Sequence, residues 1–464
     1  MQAWLVWTLA AAVMAPPAAT PAVEGVWSGT LEAGAARLRL VLHVATRPQG
    51  GFTAWLDSLD QGAAGLPVDE VTLRDRTVSL RMKSLGASYT GTLADDGNAI
   101  AGQWIQGGAF PLTFRRGATE GPRRPQEPKR PLPYREEEVS VQSAGVKLAG
   151  TLTLPRGKGP FPAALLITGS GPQDRDETIA GHRPFLVLAD HLTRNGIAVL
   201  RYDDRGVGGS TGQFQAATTA DFADDAQAGL ALLQSRPEVD RKRTGLIGHS
   251  EGALVAALLA SRGADVGFVV LLASMGVTGE AVLYEQAAQI SRVSGVPAER
   301  AAQQKSMQQA TFAILKGESD SAVARKRLEE LLGPALASLP AEQRAFALQR
   351  QIDTTLSPWL RAFLIYDPLP PLRAVKCPVL ALFGEKDLHV PPSQNAAPVE
   401  AALKEGGNTS FTVRVLPGLN HLFQTATTGL PAEYTSIEET MAPAALTAVS
   451  DWITQRAQAA PPPR

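Results

Sequence analysis

Between Val23 and Arg116 apolar residues recur at every second position in short runs: Leu38, Leu40, Leu42 and Val44, then Phe52, Ala54 and Leu56, then Val78, Leu80 and Met82. A period of two places each set on one face of a strand, which predicts half-buried antiparallel strands. Arg47-Pro48-Gln49-Gly50-Gly51 and Asp95-Asp96-Gly97-Asn98 fall between the runs and carry turn chemistry. Residues 23–116 therefore read as a small all-β barrel or sandwich. With one histidine, His43, and no cluster of titratable groups, it reads as an accessory domain.

The pattern changes after residue 135. Ala163–Thr168, Ala198–Tyr202, Thr244–Gly248, Phe268–Ala273 and Val379–Phe383 are apolar runs of the kind that forms strands buried on both faces, and Phe411–Val415 reads as a further strand. Helical stretches at Pro184–Asn195, Ala220–Ser235 and Glu251–Arg262 lie between them, so residues 135–464 predict an α/β domain with a doubly wound, mostly parallel sheet. Residues 276–366 hold no strand-like run. Their amphipathic helices, with Val323, Leu328, Leu331 and Leu332 expected on one apolar face, predict a helical cap inserted in the sheet order.

Residues 117–134 are rich in proline and arginine and offer little to bury, which predicts a semi-extended linker between the two domains. At the other end, Ala3–Met14 is an uncharged apolar run followed by Pro16, Pro17 and small residues, so residues 1–22 read as a signal peptide and the mature protein as exported, periplasmic or extracellular. That run is shorter than the roughly 20 residues a membrane-spanning helix needs, so no lasting membrane anchor is expected.

Composition narrows the function. Lys and Arg total 44 against 45 for Asp and Glu, a net charge of −1 that gives no field to gather nucleic acid. The single cysteine, Cys377, excludes an internal disulfide framework and a thiolate zinc cluster, and no histidine–carboxylate cluster occurs at metal-ligand spacing. The glycine-rich loop Gly206–Gly212 lacks the lysine of a phosphate loop and the spacing of a dinucleotide fingerprint. No metal and no cofactor are expected.

Gly-x-Ser-x-Gly occurs twice, around Ser210 and around Ser250. A nucleophile elbow needs a strand running into a tight turn and straight into a helix, and only Ser250 meets this, between Thr244–Gly248 and a helix that opens at Glu251. A serine hydroxyl needs an imidazole to take its proton and a carboxylate to orient that imidazole. His43 lies in the β domain, His182 and His191 follow the first parallel strand, and His249 adjoins the serine and points elsewhere. That leaves His421, in the loop Pro417-Gly418-Leu419-Asn420-His421, with His389 read as a loop or surface histidine. Asp387 and Glu385 compete for the carboxylate, with Asp203 and Asp204 as rivals after an earlier strand. The N–H of Glu251 is one expected oxyanion donor, and the other should come from Thr168-Gly169-Ser170-Gly171. Asp174, Arg175 and Asp176 read equally as a loop brace or as substrate contacts.

The order Ser250, Asp387, His421, with Gly-His-Ser-Glu-Gly at an elbow, resembles the α/β-hydrolase superfamily. The segments at 167–176, 201–212 and 357–368 are similar to secreted bacterial esterases of the dienelactone-hydrolase and prolyl-oligopeptidase-like group, and the resemblance covers residues 135–464. It implies an α/β-hydrolase fold, Ser250 as nucleophile, Asp387 as acid and His421 as base, and Ser170 as the second oxyanion donor with Gly171 as its alternative. Thr168 stands where many relatives have histidine. The expected activity is hydrolysis of small-molecule carboxylic esters through an acyl-enzyme. A serine peptidase or amidase acting on short peptides is the alternative enzyme, and a secreted binding protein with an inactive hydrolase core is the alternative of another class.

Overall fold

A computed structural model describes residues 23–33, 36–47, 49–61, 63–117, 123–337 and 341–458. Residues 1–22, read above as a signal peptide, lie outside the described residues. The chain divides into two compact units, residues 1–57 with 65–119, and residues 58–64 with 120–464.

The first unit is built on nine strands: β1 (Gly25–Ala33), β2 (Ala36–Thr46), β3 (Phe52–Ser58), β4 (Ala63–Val68), β5 (Glu70–Arg74), β6 (Thr77–Met82), β7 (Ala87–Leu93), β8 (Ala99–Ile105) and β9 (Ala109–Arg116). They hydrogen-bond in the order β4-β3-β2-β1-β9-β8-β7-β6-β5, with β5 to β9 a continuous antiparallel meander. The two edge strands are separated in the chain by Asp69 alone, so the sheet must wrap until its edges meet: a nearly closed barrel. Val78, Leu80 and Met82 alternate inward along β6, and Trp27, Leu42, Leu56, Tyr89 and Phe114 fill the same core. His43 bonds Asp57 at 2.8 Å and stacks on Trp55, which gives it a structural partner.

The second unit carries an eight-stranded sheet of β10 (Arg135–Ser143), β11 (Val146–Leu154), β12 (Phe161–Ile167), β13 (Ala198–Tyr202), β14 (Val239–His249), β15 (Phe268–Leu272), β16 (Val379–Gly384) and β17 (Phe411–Leu416), in the order β10-β11-β13-β12-β14-β15-β16-β17. From β13 onward neighbours run parallel, as the unalternated runs predict, and β10 and β11 add an antiparallel hairpin at one edge. This is the α/β-hydrolase fold. The edge hairpin escapes a hydropathy reading because β10 opens on Glu136, Glu137 and Glu138 and buries only alternate residues near its end.

Helices α1 (Pro184–Arg194), α2 (Thr219–Ser235) and α3 (Glu251–Ser261) follow β12, β13 and β14. Between β15 and β16 come α4 (Gly279–Val293), α5 (Ala298–Gly317), α6 (Ser321–Leu332), α7 (Ala341–Thr355) and α8 (Pro358–Ile365), a wholly helical insertion, and then α9 (Leu369–Ala374). Helices α10 (Pro392–Glu405) and α11 (Pro443–Gln458) complete the unit. One face of the sheet buries α2, α3 and α10, and the other buries α1 and α11. The cap has its own core of Ile314, Ala324, Leu328, Leu332 and Ile352. Val323, expected on the apolar face, is instead 44% exposed: the buried stripe runs through Ala324, Leu328 and Leu332 at a four-residue spacing, and its neighbour is turned about 100° away. Among the described residues no helix is long and apolar enough to cross a membrane.

Residues 123–134 of the Pro- and Arg-rich segment are seated on this unit. The Arg124 guanidinium donates to the carbonyls of Ala180, Gly181, Thr435 and Ile437. The Gln126 amide oxygen accepts the N–H groups of Thr440 and Met441, and Tyr134 donates to Asp190 at 2.9 Å. The expectation of a semi-extended linker came from counting apolar residues, and that count does not register these hydrogen bonds.

Candidate active site

Ser250 sits where β14 ends and α3 begins, with φ 54° and ψ −118°, a conformation that costs a non-glycine residue about 1–3 kcal/mol. The surrounding fold enforces it. A Cβ on Gly248 would lie 2.0 Å from the Gly252 carbonyl oxygen, and one on Gly252 would lie 2.1 Å from that of Ile167, so both glycines of the motif are required by close backbone approach. Ser210, in the other copy of the motif, accepts the N–H of Ala149 and donates to the Asp203 carbonyl, which makes it a fastener of a turn at the sheet edge.

Asp387 follows β16, and its carboxylate is wholly shielded from solvent. Its Oδ2 accepts from Nδ1 of His421 at 2.8 Å, while Oδ1 accepts the N–H groups of His389 and Val390, each at 2.8 Å. Burial works to raise this carboxyl, but the His421 imidazole and the Val390 N–H outweigh it and hold Asp387 below its ordinary range. With the proton of neutral His421 on Nδ1, its Nε2 is left as an acceptor. Of the rival carboxylates, Glu385 accepts the Gly418 N–H, Asp203 is gripped by the Arg175 guanidinium, and Asp204 takes the Thr168 hydroxyl and the Gln173 N–H. Arg175 also reaches Glu138 and Thr151, and Asp176 pairs with Arg201, so the 174–176 segment is a brace.

Ser250 and His421 line one cavity of about 310 Å³, whose walls include Met275, Val282, Leu283, Trp359, Phe363 and Leu422. The loop Gly169–Ser170 borders it too: a Cβ on Gly169 would lie 3.2 Å from Cβ of Ser250. The Gly169 N–H is engaged by Glu177 at 2.8 Å and so is not free to serve an oxyanion at the serine.

A model of the Hydrolase_4 family, described as serine aminopeptidase S33, matches residues 183–425, more than half of the chain. The chain belongs to the serine aminopeptidase S33 family. It is 34% identical over 141 residues to the esterase EstD of Thermotoga maritima, which is 30% of this chain and 33% of the relative, so the match spans about a third of that relative's length. Among solved structures it is similar to an esterase of Pyrococcus furiosus, with 16% identity, a TM-score of 0.43 and coverage of 70% of this chain and 91% of that one. It is also similar to the proline iminopeptidase of Mycobacterium smegmatis, with 17% identity, a TM-score of 0.44 and coverage of 69% and 98%.

Around the serine and histidine, this S33 chain places three groups that the sequence left unassigned. His249, expected only to point away, donates from Nδ1 to Glu177 at 2.8 Å and from Nε2 to the His421 carbonyl at 3.0 Å. Burial disfavours its charge, yet the Glu177 carboxylate more than compensates and raises its pKa, in keeping with a proton on each nitrogen. One chain of hydrogen bonds thereby ties the Gly169 loop, the elbow and the His421 loop together.

The Glu251 side chain is the second group. Buried, it accepts from Trp359 Nε1 at 3.0 and 2.8 Å and from the Thr219 hydroxyl at 2.7 Å, and it is hydrogen-bonded to Ser170; burial raises its pKa. It links cap helix α8 to the loop beside Ser250.

The third group is His389. It is no surface residue: its ring stacks on His421 with centroids 4.8 Å apart, and burial, with the adjacent His421 adding to it, pushes its pKa down to about 4.

His182 supports Tyr434, which lines the cavity. It is 0% exposed, bonds the Tyr434 carbonyl at 2.8 Å and the Thr440 hydroxyl at 3.0 Å, and burial pushes its pKa down to about 4. It is therefore neutral in the fold but takes a proton below about pH 6.5 once unfolded. The stability it permits is complete above that pH and is lost as pH falls toward 4, with about 2 kcal/mol gone at pH 5. Thermal unfolding at pH 7.5 and pH 5 should show the larger drop in the wild type and a smaller one in His182→Gln. Equal drops would assign the acid sensitivity to other groups.

Proposed function

We propose that the protein is a serine hydrolase that cleaves neutral carboxylic esters through an acyl-enzyme. The observation that carries this reading is Ser250 on a strained elbow, facing the same cavity as an imidazole whose Nδ1 is held by buried Asp387. In the proposed cycle His421 Nε2 takes the Ser250 proton as Oγ attacks the ester carbon, and the carbonyl electron pair moves to oxygen. The N–H groups of Glu251 and Ser170 hold that oxyanion, each worth roughly 2.7–4 kcal/mol. The intermediate collapses, the alcohol leaves with the proton from His421, and water then releases the carboxylic acid by the same steps and restores Ser250.

An ester is favoured over a peptide N-terminus by the charge of the cavity. An aminopeptidase must hold an ammonium group with a carboxylate, and Oε1 of the Glu177 carboxylate bordering this cavity already serves the His249 imidazole and the Gly169 N–H. Export is proposed alongside, on the pattern of residues 1–22. The purified protein should turn over p-nitrophenyl butyrate at least 100-fold faster, in kcat/KM, than alanine p-nitroanilide. A preference for the anilide would make it a peptidase, and failure to react with a fluorophosphonate probe would make it a binding protein.

A further inference from the structure

Two polar atoms in the cavity wall have no partner within the protein among the described residues. Tyr434 is 4% exposed and its hydroxyl is unpaired, and so is Nε2 of His389; both atoms are shielded from bulk solvent. Buried polar groups are nearly always hydrogen-bonded, so a fold that leaves two such atoms unserved on residues lining one cavity points to a ligand group there. Both residues line the cavity that holds Ser250, and their rings are 6.3 Å apart.

Their position identifies which half of the substrate they meet. His389 stacks on His421, the ring that hands a proton to the departing alcohol in the proposed cycle, so this pair flanks the alcohol side of the ester. Tyr434 is also held in place. Its carbonyl accepts from His182, and Arg124 grips the carbonyls of Thr435 and Ile437 directly after it. Such second-layer support is what a specificity contact requires.

The chemistry of the pair selects the group. A neutral imidazole offers one donor or one acceptor at Nε2 according to tautomer, and a phenol offers both. A hydroxyl, itself donor and acceptor, satisfies either tautomer. Among the described residues, no lysine or arginine lines the cavity to meet a carboxylate or phosphate on the alcohol. Resting on the ester-hydrolase reading above, we propose that Tyr434 and His389 form a subsite for a hydroxyl carried by the alcohol moiety of the substrate.

The test compares 2-hydroxyethyl butyrate with propyl butyrate, which differ by a hydroxyl in place of a methyl group. Wild-type kcat/KM should favour the hydroxylated ester by about tenfold or more. In Tyr434→Phe the ratio should collapse to about one, and His389→Phe, which keeps a flat ring against His421, should reduce it in the same sense. A wild-type ratio near one, with both esters cleaved, overturns the subsite and leaves the esterase reading standing. A ratio retained in both variants, or a preference for ethyl 3-hydroxybutyrate over ethyl butyrate in place of the alcohol-side preference, also overturns it. Hydrolysis of neither ester, with no fluorophosphonate labelling, overturns the esterase reading and the subsite with it.

Discussion

Ser250→Ala is expected to lower kcat by several orders of magnitude, up to the roughly 10⁶-fold loss that follows removal of a triad serine. The loss should be this large because no other hydroxyl can replace it. The elbow presents one side chain between β14 and α3, and its strained backbone is held by contacts of Gly248 and Gly252 that the substitution leaves intact. The variant should therefore fold while losing its chemistry, and it should lose fluorophosphonate labelling in parallel. Ser210→Ala provides the contrast. Its hydroxyl only bridges Ala149 N–H and the Asp203 carbonyl, so turnover should change less than about tenfold while stability falls by about 1–2 kcal/mol. Equal losses of turnover in the two variants would remove the assignment of Ser250.

Asp387→Asn should cut turnover by about 10⁴-fold in a folded protein. The geometry explains the direction. Oδ1 of Asp387 receives two backbone N–H groups, from His389 and Val390, so the single carbonyl oxygen of an asparagine must stay there. Its NH₂ then faces Nδ1 of His421, where the carboxylate had accepted a proton. That forces Nδ1 to act as acceptor and puts the ring proton on Nε2, the nitrogen that receives the serine proton in the proposed cycle. Steady-state kinetics together with a thermal midpoint within a few degrees of wild type would check this. Near-normal turnover would pass the role to another carboxylate, and Glu385→Gln, bonded only to the exposed Gly418 N–H among the contacts described, should by comparison cost no more than a few-fold.

Much of this was legible in the chain because it depends on local rules. Strands buried on both faces read as unbroken apolar runs, so β12 to β16 could be located from hydropathy, together with α1 to α3 and the helical insertion between them. The elbow was legible for the same reason: two glycines, a serine and the strand-to-helix switch are contiguous, and backbone sterics at Gly248 and Gly252 permit little else. The bond between Asp387 and His421 spans 34 residues, yet each follows its own strand, so the pairing of neighbouring β16 and β17 brings them together.

Tertiary structure decided what rests on contacts between distant segments. The ring of His389 looked like a loop side chain because sequence shows its neighbours at 387 and 390 and not the imidazole of His421 against which it stacks. Glu251 displayed only its N–H to a sequence reading; its carboxylate meets Trp359 across 108 residues. Glu177, His249 and the His421 carbonyl join into one chain only when β12, β14 and the loop after β17 are assembled. Arg124 and Gln126 lie in a segment with little to bury, and they dock through backbone carbonyls and N–H groups of loops, the farthest more than 300 residues away. Sequence by itself determined most of the elements and the tight turn at Ser250, since steric and hydropathic rules act within a few residues. The shielding, charge and company of each polar group were decided by the fold, because burial and hydrogen-bond partners are properties of the packed chain.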